Sequence, residues 1–229
     1  MENGAALTVE APINLLFHGV GRPGRGMEPG EDAYWVTPAL LDEVLDFIVQ
    51  RPRVSLSFDD CNSSDVEIVL PALTSRGLRA TFFPISIRLG SPGSLSFDGL
   101  REIASAGMPV GSHGRRHIPW RRLPAAVATD ELVTARRELE DVVQQPVTDA
   151  ACPFGAYGRS TLQRLRGLGY TRVYTSDGAR SSPGDWLQAR YTITSNHDIG
   201  AIRRLVDHCG LGVARHADQL RVVVKAHRR

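Results

Sequence analysis

Val54-Ser55-Leu56-Ser57-Phe58-Asp59-Asp60 is an apolar run that ends in two adjacent carboxylates, followed by the polar loop Cys61-Asn62-Ser63-Ser64-Asp65. Its β-branched and aromatic members predict a buried strand. Successive strand residues point to opposite sides, so Asp59 and Asp60 cannot do the same job. In a parallel α/β protein, carboxylates at the C-terminal end of a strand lie where active sites are built. The ordinary alternative is that one caps the next helix and the other is solvated.

Upstream, Ile13-Asn14-Leu15-Leu16-Phe17 is a second apolar strand, ending at His18-Gly19-Val20. Residues 21–33 are rich in Gly, Pro and Arg and form a loop long enough to cover a site. Thr37-Pro38 opens a helix in which Leu41, Val44, Leu45 and Ile48 recur at helical spacing.

Downstream, Ser63 or Ser64 is expected to cap a helix that Pro71 bends and Gly77 ends. Further strands are predicted at 79–85, 108–112, 147–152, 171–175 and 189–194, with helices at 98–106, 129–145, 160–167 and 198–208. Arg221 to Lys225 reads as a terminal strand. Strands alternating with helices give an α/β protein, a distorted barrel of about seven parallel strands with one working face. A single domain is expected over residues 1–229, with its core at about 13–215.

At 229 residues, with 42% hydrophobic and 23% charged residues, the composition is that of a globular chain. The net charge of +2 is too small to predict nucleic-acid binding. Three cysteines, odd in number and in no CxxC pattern, argue against a disulfide framework. No run approaches the ~18 apolar residues of a membrane span, and the first residues lack a leader's basic start, so a cytoplasmic protein is expected.

His113-Gly114-Arg115-Arg116-His117 places two imidazoles four residues apart. In a helix both rings would share one face and could share a metal. With a strand-end carboxylate they make a two-His, one-carboxylate set with open positions, which suits catalysis rather than structure. The second carboxylate is then free to accept a proton from water, a pairing that fits hydrolysis of an amide or ester.

These segments resemble motifs of the polysaccharide deacetylases (NodB-homology, carbohydrate esterase family 4). Ser57-Phe58-Asp59-Asp60-Cys61 is similar to their TFDDG, Ser112-His113-Gly114-Arg115-Arg116-His117 to SHTxxH, and Cys152-Pro153-Phe154-Gly155 to the end of RxPYG. Gly77-Leu78-Arg79-Ala80-Thr81-Phe82-Phe83 is also similar to a family segment, and the likeness covers roughly residues 13–194. The resemblance implies Asp59 as general base, Asp60, His113 and His117 as ligands of a divalent metal, and the Phe154 N–H as an oxyanion donor. Core packing is the plain alternative for Phe154. Zinc is the first expectation for the metal, with nickel, cobalt or iron as alternatives.

The chain departs from the family pattern at several places. Cys61 stands for the motif glycine, and could alter the turn or put a thiol at the site's edge. Ala151 stands for the motif arginine, for which Arg190 is a candidate substitute and a possible substrate contact. The late LxH histidine has no clear counterpart among His197, His208 and His216. Instead, Phe17-His18-Gly19-Val20 resembles the YHxV stretch of exopolysaccharide deacetylases, which implies His18 as the acid. Asp177, Asp185 and Trp186 loosely resemble a DxxDW segment and suggest at most a substrate contact. Trp35 and Trp120 are candidates to stack on sugar rings.

The expected function is metal-dependent removal of an N-acetyl group from an N-acetylated amino sugar, glycan or glycoconjugate precursor. Alternatives are another amide or an O-acetyl ester on the same fold, a non-haem iron oxygenase, and a catalytically impaired glycan-binding protein.

Overall fold

Seven parallel strands hydrogen-bond into a ring in the computed structural model, which describes residues 12–182, 184–208, 222 and 224–226. β1 (Ile13–Phe17) leads into β2 (Gly19–Val20), which pairs with β3 (Trp35–Val36) as a small separate ladder. β1 lies beside β4 (Val54–Asp60), and β4 beside β5 (Ala80–Pro84). Phe82 then bridges Val110, and Ser112 bridges Ala150, so the stretch 110–112 links β5 to β6 (Asp149–Ala151). β7 (Arg172–Thr175) and β8 (Leu187–Ala189) continue the series, and β9 (Tyr191–Thr192) pairs back onto β1. Only Arg190 separates β8 from β9, so one interrupted strand touches β7 with its first half and β1 with its second. The architecture is a distorted (β/α) barrel.

In-register residues of parallel strands share a face. Phe17, Phe58 and Phe82 are in register and stack, with centroids 5.5 and 5.3 Å apart. They face outward into a large core with Leu41, Val44 and Leu45 of α1 (Pro38–Ile48). The next residues along, Asp59 and Phe83, therefore point into the barrel. There the filling is thin: Phe83, Ala151 and Tyr174 form a cluster of their own.

α1 begins as expected, with the Thr37 hydroxyl accepting from the Leu40 N–H. The helix after β4 differs. A π-turn at Asp65–Val69 precedes α2 (Leu70–Thr74), and neither Ser63 nor Ser64 caps it with a side chain. The carbonyls of Asn62 and Ser63 close its first turn, and the Ser64 hydroxyl accepts from Val20 N–H instead. α3 is Phe97–Ser105, and α4 (Ala125–Thr129), a π-turn (Asp130–Thr134) and α5 (Ala135–Val143) make one helical run that starts earlier than residue 129. α6 (Arg159–Gly167) and α7 (Ile199–His208) complete the helices.

Of the terminal strand expected at 221–225, the described residues Val222, Val224 and Lys225 are helical instead. A closed ring has no free edge to accept another strand, so the β-propensity of Val222 and Val224 has no outlet. His216 and the basic cluster at 227–229 lie outside the described residues. Among the described residues, no helix is long and apolar enough to cross a membrane.

Candidate active site

The interior of the barrel, at its C-terminal end, holds Asp59. Arg190 grips it with both ends of its guanidinium, Nη1 to Oδ1 at 2.6 Å and Nη2 to Oδ2 at 2.7 Å. Arg190 also donates to the Ser57 hydroxyl at 3.0 Å and the Thr175 carbonyl at 3.1 Å, and lies over the rings of Phe83 and Tyr174. Four of its five N–H groups are thereby engaged. At 1% exposure it is placed to hold Asp59 rather than to reach a sugar. Ala151, a small side chain, packs with the same two rings that the guanidinium lies over. Burial alone would raise the Asp59 carboxyl; Arg190, with His113 and His18 adding, outweighs it and holds the group below the usual carboxylate range.

Asp60 ends β4. Its φ of 69° and that of Cys61, 59°, are left-handed, which breaks the strand's alternation and brings the second carboxylate to the same imidazole as the first, with His113 Nε2 3.6 Å from Asp60 Oδ1 and 3.8 Å from Asp59 Oδ2. Cys61 thus occupies a conformation that glycine adopts more readily. Its thiol is not at the edge of the site. It is 2% exposed and packs in the core beside buried Asp65, and burial pushes both groups well up.

The segment 113–117 is not a helix. Its histidines converge because Gly114 (φ 80°) and His117 (φ 57°) fold it into a loop around Glu131. That buried carboxylate accepts from the N–H groups of Arg115 at 3.0 Å and Arg116 at 3.1 Å. Only glycine fits at 114: a Cβ there would lie 2.6 Å from Glu131 Oε2. Trp120 packs under this loop at 1% exposure, so it supports the site and cannot stack on a sugar. Trp35, at 8%, is likewise interior.

His113 Nδ1 lies 2.9 Å from the Ala151 carbonyl. A carbonyl only accepts, so Nδ1 carries the proton and Nε2 is left as a ligand atom. His113 Nε2 is 3.6 Å and His117 Nε2 3.4 Å from Asp60 Oδ1, an oxygen that is buried with no hydrogen-bond partner among the described residues. Four-coordinate zinc with bonds of ~2.0–2.1 Å has ligand atoms roughly 3.4 Å apart. These three atoms, all within 4.8 Å of one another, fit a divalent cation. Burial pushes the Asp60 carboxyl up, but His18, His113 and His117 outweigh it and hold it low. Burial also prevails at His113, bringing its imidazole down to about 4, so that it is neutral as a ligand must be.

A pocket of about 400 Å³ opens over these groups. His18 lies on its wall, with Tyr34 against its ring at 4.9 Å. Phe154 is 58% exposed, which rules out core packing, and its ring sits 4.3 Å from that of His117. Its φ of 56° is left-handed, and the turn's two hydrogen bonds use the amides of Gly155 and Ala156 rather than its own. Glu28 and Glu31 of the 21–33 loop also line the pocket, Glu28 Oε2 lying 3.8 Å from His117 Nδ1. Arg25 fastens that loop by pairing with Glu31 and donating to Asn62 Oδ1 at 3.1 Å, and Glu28 pairs with Arg88.

Asp177, Asp185 and Trp186 are not among the described residues lining the pocket. Asp185 accepts from the Ser182 N–H, and Trp186 donates to the Tyr170 carbonyl. The His197 ring is turned onto its own chain, accepting from Thr194 N–H at 3.1 Å. No sequence motif points to Tyr34, Glu28 or Glu131, which tertiary packing brings to the pocket and under the 113–117 loop.

Residues 48–173 match the polysaccharide deacetylase family model, more than half of the chain, and the protein belongs to that family. It is 24% identical over 140 residues to YxkH of Bacillus subtilis (strain 168), which bears the same family name. That stretch is 61% of this chain and 50% of the relative, so the chain spans about half of the relative's length. Among solved structures, the deacetylase PplD of Streptococcus pyogenes, in complex with acetate, superposes with a TM-score of 0.73 at 22% identity, covering 86% of this chain and 98% of that one. A de-N-acetylase from Aggregatibacter actinomycetemcomitans gives 0.70 at 15% identity, covering 86% and 100%. At these identities the superpositions establish the fold.

Proposed function

We propose that the protein is a metal-dependent hydrolase that removes the N-acetyl group from an N-acetylated amino sugar, glycan or glycoconjugate precursor. The observation that carries this is the division of labour between neighbouring carboxylates. Asp60 faces two imidazole nitrogens across a cation-sized gap, while Asp59 is held beside it by Arg190. Asp60, His113 and His117 would hold the metal, zinc in the first instance. When bound, such an ion polarises the acetamide carbonyl and lowers the pKa of water.

Asp59 accepts the proton of the attacking water, its two oxygens kept in place by the guanidinium. The Phe154 N–H donates to the oxyanion that forms as the carbonyl carbon becomes tetrahedral. His18 delivers a proton to the departing amine, and acetate is released. The exposed rings of Tyr34 and Phe154 give the pocket two apolar surfaces suited to the face of a pyranose.

The test is acetate release from N-acetylglucosamine oligomers and related acylated sugars, with metal-stripped protein and Asp59→Asn as controls. Metal-dependent release that Asp59→Asn lowers by about a hundredfold or more is expected. No metal-dependent release across a broad acyl-sugar panel would overturn the reading.

A further inference from the structure

Asp177 is a buried carboxylate that the reaction above does not use, its side chain only 1% exposed. Oδ2 accepts from the Tyr157 hydroxyl at 2.6 Å and the Thr175 hydroxyl at 2.9 Å. Oδ1 pairs with the ammonium of Lys225, which also donates to the Gly155 carbonyl at 3.2 Å. Lys225 thus joins a helical stretch at 224–226 to the turn that follows β6, 70 residues earlier in the chain.

That turn needs holding. Phe154 (φ 56°) and Gly155 (φ 57°) are consecutive left-handed residues, and the first has a Cβ. Such a conformation is unfavourable for a residue with a Cβ and persists only where its surroundings enforce it. Two short-range bonds close the turn, from Gly155 N–H to Cys152 O and from Ala156 N–H to Pro153 O. Neither ties it to the rest of the barrel. The turn's entry is fixed by the Cys152 N–H donating to the Tyr174 carbonyl at 2.9 Å. Beyond it the ties are Tyr157 to Asp177 and Lys225 to the Gly155 carbonyl, and both meet at one carboxylate just beyond β7. Ser176 packs close as well, and a Cβ at Gly155 would lie 2.4 Å from its Oγ and 3.7 Å from Lys225 Nζ.

We propose that Lys225, through the Gly155 carbonyl and Asp177, is a positioning residue that holds the Phe154 amide in place over the reaction centre. The inference rests on the oxyanion role proposed for that amide. It assigns to a lysine far along the chain the alignment of a donor that sequence motifs place in the 153–155 turn.

Lys225→Met removes the ammonium at similar length, and Lys225→Arg restores a donor. Deuterium uptake of the segment 152–157 in the intact protein is the first readout. Uptake several-fold faster in Lys225→Met, with the strands of the ring unchanged and Lys225→Arg close to the parent, is expected. In acetate release, kcat falls about tenfold while KM stays within about twofold, the signature of a misplaced transition-state donor. The double variant Lys225→Met/Asp177→Asn repeats the measurement without a buried unpaired carboxylate and gives the same local change. Unchanged uptake at 152–157 in both variants overturns the proposal, as does faster uptake spread evenly over the barrel. If the parent protein releases no acetate, the deacetylase reading fails while the exchange data still decide whether Lys225 holds the turn.

Discussion

Arg190 and Asp59 form a fully buried ion pair, 1% and 2% exposed, and removing one partner leaves the other without compensation. Arg190→Met is expected to cost about 3–5 kcal/mol in urea unfolding. Arg190→Lys costs less, because a charge survives although the two-point grip does not. The pair also has a pH signature. The Asp59 carboxyl is lowered in the folded protein. Its contribution is therefore fully present above the unfolded value of about 3.9 and is lost as pH falls through the folded value. In Arg190→Met burial is left to raise the same carboxyl, so the variant takes up its proton at higher pH than the parent, and the stability gap should narrow progressively as pH falls from neutral toward the parent's lowered value. A gap that stays constant over that whole range would show that another group is responsible.

At the scale of elements, the site depends on a loop standing where helical spacing suggested a helix. Residues 113–117 bring two imidazoles together by winding around Glu131, and the winding requires the positive φ of Gly114. Gly114→Ala places a methyl 2.6 Å from Glu131 Oε2 and 3.1 Å from the Trp120 ring. The expected outcome is a loss of about 2 kcal/mol or more in stability and roughly a 10–100-fold loss in zinc affinity, measured by competition with a chromophoric chelator. Glu131→Gln keeps an acceptor for both amides but loses the charge, and so falls between the parent and Gly114→Ala. An unchanged zinc affinity in Gly114→Ala would mean that the loop does not set the ligand geometry.

For the molecule as a whole, the metal candidates sit on different parts of the ring: Asp60 on β4, and His113 and His117 beyond the 110–112 link. That link is held to its neighbours by single bridges rather than full ladders. A cation shared across it binds only the folded chain, and so stabilises by mass action. At free zinc about a hundredfold above Kd the gain is ~2.7 kcal/mol, a rise in Tm of roughly 5–10 °C for a chain of this size. His113→Ala should abolish the rise. A rise that persists in His113→Ala would place the stabilising metal elsewhere.

The positions of the seven strands were legible in the sequence because the signal for a buried strand is local. Ile13–Phe17, Val54–Asp60 and Ala80–Pro84 are short apolar runs that end in loops. Alternation of strand side chains sets Asp59 and Asp60 on opposite sides, but the positive φ of Asp60 brings both carboxylates to one imidazole, and it is Arg190 on Asp59 that distinguishes them. The pairing of His113 and His117 was legible from spacing, although the conformation that brings them together was not. Tertiary structure decided the rest. Arg190 reaches Asp59 across 131 residues of sequence because ring closure sets the last strand against β1 and β7. Trp120 went under the loop instead of over the pocket, and Val222 and Val224 became helix, since which surface is buried and which edge is free are properties of the closed ring and not of any one segment. The sequence by itself determined the strands and the candidates for the chemistry. Only the fold decided which partner holds each of them, because those contacts join strands that are distant along the chain.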